Sequence, residues 1–156
     1  MTLLSKSAST SSRWLALLVW ILVIFLFSTD NFSGPKTSGV IVPLLHWLFP
    51  ALSQEGLDLG HSISRKMGHV LEFFVLGVLT WRAFRTNQRY GPSLWVFSAL
   101  LVLVVAVGDE WHQSFVPSRT SSIVDVGYDF LGGMMALLML SRLRHEPRTL
   151  YSHPVL

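Results

Sequence analysis

Residues 108–133 read GDEWHQSFVPSRTSSIVDVGYDFLGG. The stretch crowds Asp109, Glu110, His112, Gln113, Arg119, Asp125 and Asp129 between two of the most apolar segments of the chain. An ionisable group in a membrane costs roughly 2.5–3.5 kcal/mol at a helix centre on insertion scales, so its presence there points to function. The apolar run before the stretch predicts a helix from Pro92, a natural first helical residue, to about Gln113. The run after it predicts a helix over Ile123 to Leu143. Pro117 and Ser118 predict a turn that aims Arg119 back over the polar residues, and either Ser121 or Ser122 can cap the following helix.

Outward from there, a further helix is expected from about Arg65 to Phe84. Trp14 to Phe27 is an unbroken apolar run that extends through Ser28 and Thr29 to near the roughly 20 residues a span needs. The following STDNFSG offers no convincing small-x-small cleavage site, so this segment is expected to be retained as the first helix rather than removed as a signal. Residues 30–65 form a mixed connection punctuated by Gly34, Pro35, Gly39, Gly56 and Gly60. Within it VIVPLLHWLFPAL, residues 40–52, is too short and too interrupted by Pro43 and Pro50 to span. The fold expected is therefore all-α: an integral membrane four-helix bundle with an interfacial or re-entrant segment between helices 1 and 2. Residues 14–143 form the transmembrane domain, between cytoplasmic tails at 1–13 and 144–156.

Composition agrees with this, since 51% of residues are hydrophobic and 13% charged, about half the charge of an ordinary soluble domain. There is no cysteine, which excludes disulfides, thiolate catalysis and cysteine metal sites. The net charge of +3 is distributed in short groups beside apolar segments, which is topogenic charge rather than a nucleic-acid surface. Lys6, Arg13, Arg82, Arg85, Arg89, Arg142, Arg144 and Arg148 fall on one side of a four-span chain and Lys36, Arg65, Lys66 and Arg119 on the other. The positive-inside rule then makes both termini cytoplasmic. All the acids except Glu146 fall toward the outer side, so the chemistry is expected to face the periplasm or exterior. Trp14, Trp47, Trp81 and Trp95 are expected as interface anchors.

Lys66, His69 and Glu72 recur at three-residue spacing along one side of a helix, with Glu72 roughly 9 Å deeper than Lys66. Asp125 and Asp129 share a face one turn apart, as do Asp109 and Gln113. Three helices thus present polar faces at similar depth. Glycines 68, 77, 127, 132 and 133 are positioned to let those helices approach closely.

Lys66, His69, Glu72-Phe73-Phe74, then Asp109-Glu110-x-x-Gln113-x-x-Val116-Pro117-x-Arg119, then Asp125-x-x-x-Asp129-x-x-Gly132 resembles the VanZ-like family of bacterial membrane proteins over about residues 14–140. The segment ending in Phe27-Ser28 is similar to that family's first helix. Phe73 stands where relatives often carry tyrosine, and Ser118 where glycine is common. The resemblance implies architecture first. It also implies an association with glycopeptide susceptibility, since the family's namesake is linked to teicoplanin.

The function expected from these residues is binding, with processing left open, of an anionic cell-envelope lipid or sugar-phosphate headgroup such as a polyprenyl phosphate. Lys66 and Arg119 contact phosphate, with Gln113 and Glu110 beside them. His69, Glu72, Asp109, Asp125 and Asp129 supply acid/base chemistry. Two alternatives are a network of ion pairs that docks helices and a small proton- or ion-coupled transporter. His69, Glu72, Asp109 and Asp129 include donors suited to a divalent ion, but there is no compact motif and Lys66 and Arg119 oppose a cation. No metal and no cofactor is therefore expected, and membrane lipids are the partners.

Overall fold

The computed structural model describes residues 9–85 and 92–143. Lys6, Arg89, Arg144 and Arg148, and with them most of both predicted tails, lie outside those residues. The described elements are α1 (Thr10–Phe27), a 3₁₀ turn (Asp30–Phe32), α2 (Gly34–Leu48), α3 (Gln54–Phe84), α4 (Pro92–Gln113) and α5 (Ile123–Arg142). Four of these, α1, α3, α4 and α5, are long and apolar enough to cross a membrane. The fold is an all-α membrane bundle.

Its helix ends follow from local chemistry. Ser9, Ser53 and Ser122 cap α1, α3 and α5, each hydroxyl accepting from a backbone N–H of the first turn and satisfying a donor that has no partner inside the helix. Of the two serines before α5, the cap is Ser122. With Ser9 as its cap, α1 begins at Thr10, four residues before Trp14.

The sequence reading is corrected at α3, which begins at Gln54 rather than Arg65. Gly56 and Gly60 do not break it, because the Ser53 cap and Glu55 in the first turn favour a helix start there. Its 31 residues rise about 46 Å, well beyond a hydrocarbon core of about 30 Å. The added turns carry Asp58, His61 and Ser62, and α2 packs against them: Thr37 Oγ1 lies 3.1 Å from His61 Nε2. Most of the connection at 30–65 is thus a helical pair, and Pro43 sits inside α2 without ending it.

The spanning helices run antiparallel to their chain neighbours. The start of α1 meets the end of α3 through an edge-on Trp14–Phe84 contact, with ring centroids 5.2 Å apart. At that same end Leu94 of α4 and Leu137 of α5 pack with Trp81. Trp81 is therefore a buried core residue and not an interface anchor, whereas Trp47 is 75% exposed. The main core joins Leu17, Ile24, Phe73, Leu76, Ala83, Val102, Val105 and Ala106 from α1, α3 and α4.

Close helix contact rests on three glycines. A Cβ at Gly77 would lie 2.6 Å from Gly133 O, one at Gly132 2.2 Å from Val70 O, and one at Gly133 2.3 Å from Val102 Cγ1. Gly68 and Gly127 have no such neighbour within 4 Å, so these two do not serve the close approach expected of them.

Candidate functional site

The Val70–Gly132 approach fixes what lies beside it in sequence, because His69 precedes Val70 and Asp129 is three residues before Gly132. His69 Nδ1 and Asp129 Oδ1 are 3.3 Å apart across α3 and α5. The distance suits an ion pair, but neither group is aligned for a hydrogen bond there. His69 Nδ1 and both Asp129 oxygens are enclosed with no hydrogen-bond partner, and Asp129 is fully buried.

Asp109 enters the same space from α4 and is equally buried. It is held from two sides: the hydroxyl of Ser28, the residue that ends α1, donates to Oδ1, and Gln113 Nε2 donates to Oδ2 at 2.8 Å. Those two partners come one turn along α4 and from α1, so three helices and the end of a fourth converge here. Ligand atoms of His69, Asp109 and Asp129 all lie within 4.8 Å of one another. Glu72, one turn along α3 from His69, adds an Oε1 that is also enclosed and unpartnered. Trp20 of α1 braces that turn by donating to the Glu72 carbonyl at 3.0 Å.

Of the remaining residues predicted from sequence, Glu110 is used structurally. Its Oε2 accepts from the Ser122 N–H at 2.8 Å, which ties the end of α4 to the start of α5, where the helix dipole favours negative charge. Lys66 lies with Nζ 4.6 Å from the centroid of the Tyr128 ring, a cation–π contact.

Arg119 departs most from expectation. Its Nη2 donates to the carbonyls of Phe27, Phe32 (2.8 Å) and Thr29 (3.3 Å). Two of these carbonyls end α1 or follow it, and α1 has no basic residue of its own in its last turn, so Arg119 supplies the positive charge its dipole favours. Burial, followed by the nearby Arg65, lowers the Arg119 pKa from its ordinary value, although a guanidinium stays charged under any working condition. The same loop is tied a second time by Asp30, which accepts from Ser118 and pairs with Lys36. Those hydrogen bonds, Lys36 first and Ser118 second, hold the Asp30 carboxyl below its usual 3.8.

Beside the buried cluster lies a small cavity of about 70 Å³, lined by Ser62, Arg65, Lys66, His69, Gln113, Thr120 and Asp125. It contains Lys66, His69, Gln113 and Asp125 as sequence residues of interest, and it adds Arg65, Ser62 and Thr120. Arg119 is not part of its lining. The Arg65 guanidinium packs over Gly34, where a Cβ would meet Nη1 at 2.8 Å.

The chain's own architecture and the order of its polar elements can now be set against known families. The VanZ/LLP1 family model matches residues 13–144. The chain belongs to that family. No curated protein and no solved structure matches it. The VanZ/LLP1 match takes in α3, α4 and α5, all of α1 but its first three residues, and every residue of the polar cluster and cavity, so the site is part of the family domain and the protein is a multi-pass membrane protein of VanZ type.

Sequence reasoning missed Ser28, Arg65, Ser62, Thr120 and Trp20. Ser28 had a visible signal, as the first polar residue after an apolar run. Arg65 had one too, since it adjoins Lys66, but it sat at what was taken for the helix boundary.

Proposed function

We propose that this VanZ-type protein resides in the bacterial inner (plasma) membrane with both termini cytoplasmic. The cavity then faces outward and receives the phosphate of an anionic envelope lipid or sugar-phosphate headgroup. The observation that carries this reading is the cavity itself: Arg65, Lys66 and His69 are brought to one opening on the α3 turns that lie toward the membrane surface. Arginine and lysine together suit phosphate, one as a planar fork and the other as a point charge. Ser62 and Thr120 add hydroxyl donors, and His69 is positioned between the opening and the buried acids for proton exchange. Arg65 takes the phosphate-binding part expected of Arg119.

The interior beyond the cluster argues against a transport path. Past Glu72 and Asp129 the bundle is filled mainly by Phe73, Leu76, Val102, Ala136 and Leu137, all fully buried, with the hydroxyls of Thr80 and Ser98 as isolated polar groups and no ionisable one among them. A proton or ion would meet apolar packing there. A pure docking network is also disfavoured, because ion pairs that join helices satisfy one another, whereas Asp129 and Glu72 leave buried oxygens unused. Through such a headgroup the protein would influence glycopeptide susceptibility.

The test is native mass spectrometry of the protein extracted gently from its own membrane, comparing wild type with an Arg65→Ala, Lys66→Ala double variant. A discrete anionic lipid or polyprenyl phosphate that is lost in the variant is the expected result. Identical, nonspecific lipid profiles in both would overturn the reading.

A further inference from the structure

We propose that His69, Asp109 and Asp129 form a binding site for one divalent first-row metal ion, with Glu72 as an additional donor. The site stands on the buried cluster alone and does not depend on the headgroup reading.

The first argument is charge. Glu72, Asp109, Glu110 and Asp129 gather within the bundle; Lys66 rests on Tyr128, and Arg119, near enough to attract Asp109, Glu72 and Glu110, spends its Nη2 on the carbonyls after α1. Four carboxyl groups outnumber the nearby positive partners, Arg119 and His69, which leaves charge for an ion to balance. Buried carboxylates demand a compensating positive charge, and the histidine is one partner for several acids.

The second argument is unsatisfied chemistry. Asp129 is fully buried; its Oδ1 meets only His69 Nδ1, as an ion pair at 3.3 Å, while its Oδ2 and Glu72 Oε1 are enclosed with no partner. Buried polar atoms without partners are rare, and ion binding is one of the few physical reasons for several to occur in one cluster. Asp109, by contrast, has both oxygens engaged by Ser28 and Gln113, which fixes its carboxylate plane while leaving lone pairs for an ion. That is how outer groups orient metal ligands.

The third argument is geometry. Bonds of about 2.0–2.2 Å to nitrogen and oxygen place neighbouring donors roughly 3–3.5 Å apart. The His69–Asp129 pair already sits at 3.3 Å, and all three donor atoms are within 4.8 Å, a small contraction away. A histidine and carboxylates projecting inward from facing helices are how helix bundles build divalent-metal centres. One imidazole with carboxylate oxygens and no thiolate suits a borderline or hard ion such as Mn²⁺ or Zn²⁺.

The experiment takes the full chain in detergent, stripped with a chelator, and measures Mn²⁺ and then Zn²⁺ binding by equilibrium dialysis, with no lipid added. Wild type is expected to bind about one ion per chain. Asp129→Asn should weaken binding by more than about 10-fold, and Ser28→Ala by about 10-fold through loss of Asp109 orientation. Arg65→Ala with Lys66→Ala should leave metal binding intact while abolishing headgroup binding, which separates failure of one proposal from failure of the other. Absence of binding by wild type, or wild-type affinity in Asp129→Asn, would overturn the site. Should Asp129→Asn fail to fold, electron spin-echo spectra of Mn²⁺ on wild type decide: a directly bound imidazole nitrogen, altered by ¹⁵N-histidine, is expected, and its absence sinks the proposal.

Discussion

Arg119 shows how a residue type alone underdetermines its role. Between a turn and a helix, in a chain rich in outer-side acids, an arginine reads as a phosphate ligand. Its Nη2 instead gathers three backbone carbonyls where α1 ends. Hydrogen bonds to a charged donor contribute about 1.5–3 kcal/mol, and less where water competes; Phe27 and Phe32 are both partly open to the surroundings. Arg119→Ala is therefore expected to lower stability by about 1–3 kcal/mol, read as an earlier transition in detergent-unfolding titrations followed by circular dichroism. Under the proposed function the same variant should still bind the headgroup lipid under conditions where it is folded. Unchanged stability together with lost lipid would return Arg119 to the role of headgroup ligand.

At the level of elements, the approach of α5 to α3 decides whether a site exists at all. Gly132 meets Val70 O so closely that an added Cβ would fall 2.2 Å from it, and backbone cannot yield as a side chain can. Gly132→Ala is expected to cost about 1–3 kcal/mol or more, the range for overpacking, and to part His69 from Asp129. Gly127→Ala, on the same helix in open space, should be neutral or up to about 1 kcal/mol stabilising by helix propensity. Equal effects of the two in the same unfolding titration would mean that the helices do not meet where the structure has them. The sequence carried α4 fully and α5 to within a residue, because a proline start, serine cap and apolar runs mark them. It carried the polar faces as well, since i, i+3 and i, i+4 spacing brings residues to one side of a helix. It could not carry the early start of α3, because Gly56 and Gly60 oppose helix locally and only the Ser53 cap and packing of α2 outweigh them. Nor could it tell Gly132 from Gly127, or Arg65 from Arg119, because these differ in what another helix places against them.

Across the whole molecule, polarity is divided lengthwise: the acids, the cavity and the α2–α3 helical pair occupy one end, while Trp14, Phe84, Arg13, Arg82 and Arg142 mark the other. The sides between are covered by exposed Leu18, Leu22, Leu100, Val104, Leu131 and Leu138, the surface an apolar solvent requires. A bundle so divided has two ways to sit in a membrane, and the orientation proposed above is the one in which the positive residues flanking the α1 start and the α3 and α5 ends hold that end in the cytoplasm. Ser121, exposed in the link between α4 and α5, should then be reached from outside. Asn87, which lies outside the described residues and in the predicted cytoplasmic link, should not. Single cysteines are free of background, since the chain has none of its own. Intact cells treated with a membrane-impermeant maleimide are expected to label Ser121→Cys and to spare Asn87→Cys, with inside-out vesicles giving the reverse. The opposite pattern would place the buried acids and Arg65 at the cytoplasmic face, where an envelope headgroup exposed on the outer leaflet could not reach them.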